Sequence, residues 1–300
     1  MRTISISCRG CNYTVNSRNG ICSLKNARDG LALRCVGDWA KEKYDYLRRY
    51  IDIFETSMKN KWRERNFIDL FAGPGICMTR GLEEEIPGSP MLGIQCPHPF
   101  TGYFFVDKNS VCIDSLKIRC GNTSLFNKIR FFEEDCNLVV KDITGQIPER
   151  SLNLAFIDPT GLDIGFSTIK KLTENRRIDL IINFPIGTSI NRNWEKLISK
   201  EGSKLDEFMG SDGWRDYYKK TVNQGDASIA RALLNYYRKK LESIGYMSLR
   251  IGTEKLVRSS IKNLPLYYLI FASKSPLGHE FWKKLGLVEP HGQRTFDFST

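Results

Sequence analysis

Ten residues, Asn66-Phe67-Ile68-Asp69-Leu70-Phe71-Ala72-Gly73-Pro74-Gly75, restrict the fold more than any other stretch of this chain. The first half is an apolar run of strand length, the pattern of a parallel strand covered on both faces. It stops at Gly73-Pro74-Gly75, where glycine permits a sharp turn and lets a ligand approach the backbone. Asp69 is the exception inside the run, and a carboxylate there must be paired or must hold something. Gly73 to Met78 lacks the third glycine of a dinucleotide fingerprint, and no G-x-x-x-x-G-K-[ST] phosphate loop is present.

Further strand-like runs follow, and each ends in polar or turn residues. Tyr103–Asp107 ends in an acid, Ile129–Cys136 carries Asp135 at its end, and Leu152–Asp158 leads into Pro159-Thr160-Gly161. Ile178–Pro185 reads as a fifth strand, with Gly245–Ile251 and Leu266–Ala272 as the last two. Ligands in open α/β sheets bind just outside the carboxyl ends of the strands, so acids ending four successive strands form an ordered pattern. Before the first strand, Asp38 can cap a helix in which Trp39, Tyr44, Leu47, Tyr50, Ile51 and Phe54 recur at helical spacing, with Lys41, Lys43, Arg48 and Arg49 mostly off that face. Residues 76–93 read as a loop with Glu83-Glu84-Glu85 solvated, and Ser89-Pro90 reads as a helix start. Residues 189–243 break the strand rhythm with several short helical patterns and read as a helical insertion.

The net charge of +11 is concentrated in the flanks: +7 over residues 1–66, −3 over 67–184 and +7 over 185–300. Basic flanks supply the sequence-independent attraction to phosphate that dominates nucleic-acid affinity. In the insertion, Lys219, Lys220, Arg231, Arg238, Lys239 and Lys240 alternate with Tyr217, Tyr218, Tyr236 and Tyr237. That mixture suits stacking on bases, and equally suits tyrosines packing between helices with the cations outside. No apolar run approaches the roughly 20 residues needed to span a membrane. Nine cysteines and no apolar leader at Met1–Ser7 point to a reducing, cytoplasmic setting.

Residues 1–36 form an irregular Cys-containing arm, with residues 37–300 as the main domain. Cys8-Arg9-Gly10-Cys11 has the spacing that turns two thiolates toward one metal ion, and Cys22 and Cys35 can complete a tetrahedral zinc site. The alternative is an arm whose thiols bind nothing.

The acid before a G-x-G turn resembles the first motif of S-adenosylmethionine (SAM) dependent methyltransferases, and seven strands with the last two close together resemble their Rossmann-like α/β sheet. The resemblance implies strand order 3-2-1-4-5-7-6 with strand seven antiparallel. It implies that Asp69, Phe71, Gly73 and Gly75 hold the methionine part of SAM, that Asp107 takes the ribose hydroxyls, and that Asp135 and Cys136 lie by the adenine. Amino-group methyltransferases of this class carry Asp/Asn-Pro-Pro-aromatic after strand four. Here Asp158-Pro159-Thr160-Gly161 keeps the acceptor pair and loses the stacking ring, which Phe184 can replace. By that likeness the chain transfers methyl to an exocyclic amine of nucleic acid. His98, His279 and His291 lie at no strand end, so no general base is evident.

A closer resemblance covers residues 29–285. Trp39-Ala40-Lys41-Glu42-Lys43, Phe67–Gly75, Phe156–Pro159, Asn183-Phe184-Pro185, Gly210, Trp214, Leu266–Ser273 and Phe281-Trp282 together resemble the three-Cys-motif partner proteins. These are bacterial proteins often placed among mobile-element or defence-type genes. That resemblance implies the same fold and a protein partner encoded nearby, and it makes a SAM-binding adaptor the alternative to an enzyme.

Overall fold

Adjacent residues of the first strand serve opposite layers: Phe67 packs with one hydrophobic cluster and Ile68 with the other. This is the period-two alternation of a sheet covered on both faces. The computed structural model describes residues 11, 17–18, 20–80, 83–223, 228–248, 252–259 and 263–286. Its strands, in chain order, are β1 (Ser17–Arg18), β2 (Ile21–Cys22), β3 (Arg34–Val36), β4 (Glu64–Asp69), β5 (Ile76–Thr79), β6 (Glu85–Pro87), β7 (Gly102–Val106), β8 (Ile129–Phe132), β9 (Ser151–Ile157), β10 (Arg177–Phe184), β11 (Lys255–Arg258) and β12 (Pro265–Ala272).

Seven of these form the main sheet, in the order β8-β7-β4-β9-β10-β12-β11. Its first five strands run parallel, and β12 is antiparallel to both β10 and β11. Numbered within the sheet, this is 3-2-1-4-5-7-6 with an antiparallel seventh strand, the Rossmann-like methyltransferase arrangement. One face carries α1 (Ala40–Met58), α2 (Ser89–Ile94), part of α3 (Ser110–Gly121), and the last helix described below. The other carries α4 (Cys136–Gln146), α5 (Phe166–Thr173) and the insertion helices α6 (Trp194–Ser199), α7 (Lys204–Met209), α8 (Trp214–Asn223) and α9 (Ile229–Ser243). The chain's last described helix, α10 (Pro276–Gly286), packs against α1 through Trp282, whose ring lies 5.9 Å from those of Tyr46 and Tyr50.

Three sequence expectations change. Residues 76–93 are not simply loop, because β5 and β6 form a hairpin there. The hairpin belongs to a second, five-stranded sheet, β1-β2-β3-β5-β6, in which β3 lies parallel to β5 with Arg34 opposite Cys77. The small sheet therefore draws strands from both sides of the expected boundary at residue 36. The acidic run is not merely solvated: Glu83 pairs with Lys25 at 3.0 Å, Glu84 with Lys41, and Glu85 accepts from the Arg28 amide at 2.8 Å. Finally, the sixth strand of the main sheet is Lys255–Arg258 rather than the run starting at Gly245. Gly245 turns at φ +93°, and the Tyr246 hydroxyl donates to Ile178 O at 2.9 Å, so Tyr246 is used as an anchor beneath the sheet. Leu249, Arg250 and Ile251 lie outside the described residues.

Candidate functional site at the carboxyl ends of the strands

The turn after β4 sets the site. Gly73 and Gly75 both have positive φ, +64° and +92°, which a side chain would strain. Asp107, at the end of β7, accepts from the Gly73 amide at 2.9 Å through Oδ2 and from the Asn109 amide at 2.9 Å through Oδ1. These bonds lock the turn to the tip of the neighbouring strand. Asp135 caps α4, accepting from the Asn137 amide at 2.8 Å. Cys136 follows, and burial pushes its thiol up to about 12. Phe71, Asp107, Asp135 and Cys136 line one cavity of about 180 Å³, together with Arg34, Leu70, Lys108, Asn109, Glu134, Thr160 and Asp163. Larger and more open cavities of about 610 and 750 Å³ lie elsewhere, at the amino end of β10 and between α5 and α7. Neither includes Asp107 or Asp135, the strand-end acids that line the small cavity.

Asp69, the last residue of β4, is fully buried and does not line this cavity. Burial raises its carboxyl to about 7; Ser89 and the Phe71 amide pull the other way, and the charges of Asp158 and Asp107 push it further up. Its Oδ1 accepts from the Phe71 amide at 3.1 Å, while no donor is aligned on Oδ2 among the described residues.

Asp158 ends β9 on the neighbouring side. Its Oδ2 is 2.5 Å from the Lys43 ammonium, and its Oδ1 accepts from Asn183 Nδ2 at 2.6 Å. Lys43 stands in the first turn of α1, buried, with the rings of Tyr44 and Tyr267 at 5.1 and 5.5 Å. Asn183 Oδ1 is a buried acceptor with no donor among the described residues. Pro159, next in the chain, is buried. Phe184 does not offer a stacking face: it is fully buried, with its ring 5.4 Å from Phe208 and 5.3 Å from Tyr237. Its place at the end of the fifth strand suggested the role, but strand alternation turns its side chain to the face opposite that of Asn183.

Arg34, Lys43 and Asn183 are site residues that the motif reading missed. Lys43, expected off the apolar face of its helix, is buried on it, and its spacing of four residues before Leu47 and seven before Tyr50 was the signal. Arg34 carried none, because it reaches the site only through the pairing of β3 with β5.

The cysteine arm and the insertion read differently in three dimensions. Cys8 lies outside the described residues. Cys22 and Cys35 are buried in an apolar cluster with Ala27, Leu33 and Met78, and Cys11 is half-buried. Among the described residues no group of three or more His, Cys, Asp or Glu side chains is placed to hold a metal, so zinc is not supported there. In the insertion, Arg231 and Arg238 both pair with Glu254, and the Lys239 ammonium lies 4.6 Å from the Tyr217 ring. Tyr237 is fully buried and Tyr236 bonds Ser211 at 2.6 Å. Tyr236, Tyr237 and several of these cations serve packing. No helix among the described residues is long and apolar enough to cross a membrane.

No family model matches the chain, and no curated protein matches it. Among solved structures, it is similar to a Legionella pneumophila protein of family DUF519, at 11% identity over 87% of this chain and 96% of that one, with a TM-score of 0.48. It is also similar to P. horikoshii TYW2 in complex with MeSAdo, at 9% identity over 86% and 74% of the two chains, with a TM-score of 0.42. A SAM-dependent O-methyltransferase from Thermotoga maritima matches at 10% identity over 75% and 64%, with a TM-score of 0.36. The assignment of the chain to the Rossmann-like methyltransferase fold rests on its own strand order and on the single antiparallel strand.

Proposed function

We propose that the chain binds SAM at the carboxyl ends of β4, β7 and β8 and transfers its methyl group to an exocyclic amine of nucleic acid. The observation that carries this reading is the convergence of Phe71, Asp107, Asp135 and Cys136 on one cavity, with the glycine turn tied to it through the Gly73 amide, which donates to Asp107. In this reading Asp107 takes the ribose hydroxyls, and Asp135 and Cys136 flank the adenine. Asp69, Phe71, Gly73 and Gly75 hold the methionine part. When bound, SAM supplies a methyl group on a positively charged sulfur, a good leaving group. The chain's own work is then positioning. A carboxylate has about four lone-pair sites, and Asp158 uses two, so it can still accept from an incoming amine. Asn183 Oδ1, without a donor among the described residues, is a further acceptor beside it, which suits a substrate N–H donor; in this reading the Pro159 carbonyl is the other. The net charge of +11 favours a polyanionic partner.

A second reading has one observation in its favour. Lys43 already occupies Asp158, as expected of a SAM-binding partner protein in which the acceptor position has become structural. Incubation with SAM carrying a tritiated methyl group, followed by separation of DNA, RNA and protein, separates the two. Label in nucleic acid is the expected result. Label in protein alone overturns the nucleic-acid substrate, and SAM binding without transfer to any fraction supports the partner role.

A further inference from the structure

We propose that Arg34 is the anion-recognition residue of this site, taking the carboxylate at the amino-acid end of SAM or S-adenosylhomocysteine. The inference rests on the cofactor reading above and adds to it a residue from outside the main sheet. β3 carries Arg34 and is fixed beside β5, the strand that follows the glycine turn. The Arg34 side chain runs between two glycines of positive φ. A Cβ at Gly20 or Gly73 would lie 3.4 or 3.5 Å from Arg34 Nε, so the guanidinium rests directly against the turn. Arg119 fixes this part of the chain from the other side. It forms two bonds to Asp29, at 2.7 and 2.8 Å, and donates to the carbonyls of Ala32 and Pro74.

Arg34 is under-satisfied where it stands. Nε is buried with no hydrogen-bond partner among the described residues, and Nη2 is 3.6 Å from Asp107 Oδ2, beyond hydrogen-bond length. Asp107 cannot come closer without loosening its bonds to the Gly73 and Asn109 amides. A guanidinium presents five donors in a planar fork that matches a carboxylate. The cavity's charge selects the kind of anion. Asp107, Glu134, Asp135 and Asp163 line it against Arg34 and the exposed Lys108. A nucleotide phosphate would meet those acids with like charge. A ligand carrying an ammonium, a sulfonium or thioether, and one carboxylate meets acids with its cationic part and Arg34 with its anion.

The test is calorimetry on the full chain with S-adenosylhomocysteine and with 5′-methylthioadenosine, which keeps the adenosine and thioether and lacks the amino acid. Wild type should prefer S-adenosylhomocysteine. Arg34→Met should lose at least tenfold in affinity for it while methylthioadenosine changes less than twofold, and Arg34→Lys should fall between. Thermal melting confirms that each variant is folded. Equal losses for both ligands would show that Arg34 is only a wall, and a gain for methylthioadenosine would show that it is a plug; either result overturns the assignment. Should Arg34→Met fail to fold, Arg34→Lys with undiminished preference overturns it as well. A wild type that binds neither ligand overturns the cofactor reading itself, and this inference with it.

Discussion

The Lys43 ammonium lies 2.5 Å from Asp158 Oδ2 and ties the first turn of α1 to the carboxyl end of β9. Both side chains are largely buried, 9% and 13% exposed, so neither charge is well served by water if the other is removed. Lys43→Met should therefore destabilise the protein by about 3 kcal/mol, and Lys43→Met combined with Asp158→Asn should recover most of that loss. Urea unfolding of the two variants checks this. An additive double variant would mean that the two charges do not depend on each other.

Asp158→Ala should abolish methyl transfer while SAM binding stays within a few fold, because Asp158 faces Lys43 and Asn183 rather than the cavity that holds Asp107 and Asp135. The readouts are transfer of labelled methyl and calorimetric affinity, with Asp158→Asn as the better-folded companion. Unchanged turnover would remove the amine-positioning role.

Asp107→Ala should weaken S-adenosylhomocysteine binding by roughly 1–3 kcal/mol, since two ribose hydroxyls lose their acceptor. The Gly73 amide loses its partner in the same variant, so the turn should loosen. Calorimetry gives the affinity, and amide exchange at Gly73 gives the loosening. An affinity equal to wild type would place the ribose elsewhere.

Asp69 gives a pH signature. Its carboxyl is raised by burial to about 7 from an ordinary 3.8. Between those values the unfolded chain has lost the proton and the folded chain keeps it, so stability falls as pH rises; above about 7 both are ionised and the penalty is constant. Asp69→Asn should thus gain on wild type from pH 4 to pH 7, by on the order of a few kcal/mol, and hold that gain above pH 7. Denaturation at pH 4, 5.5, 7 and 8 checks the sign, and a gap that shrinks with rising pH would mean that Asp69 is ionised in the folded protein.

The main sheet was legible because buried parallel strands print as apolar runs and their tips as acids. Asp69, Asp107 and Asp135 fall where those runs end; Asp107 and Asp135 line one cavity, and Asp69 lies within reach of the charge of Asp107. What escaped was pairing at a distance. The β3–β5 ladder joins short segments with no alternating pattern of their own, so nothing local distinguishes Arg34 from a solvated arginine. Phe184 misled because a place at a strand's end does not say which face the ring takes, and this ring packs against Phe208 and Tyr237. The tyrosines and arginines of the insertion offered two readings at the level of composition. Only the position of Glu254, outside that segment, shows that Arg231 and Arg238 share one carboxylate as their ion-pair partner.

The place of β12 between β10 and β11 has a consequence for how the protein is made. β11 leaves the ribosome first and finds its edge of the sheet empty, because the strand it pairs with is still unsynthesised. At roughly 5–20 residues per second the gap is short. Until residue 272 clears the exit tunnel, however, β10 has one open edge and β11 has no partner in the main sheet. A nascent chain stalled before that point therefore exposes the apolar strand Arg177–Phe184, a natural target for chaperones, and translation through the final strand is the step that seals the sheet.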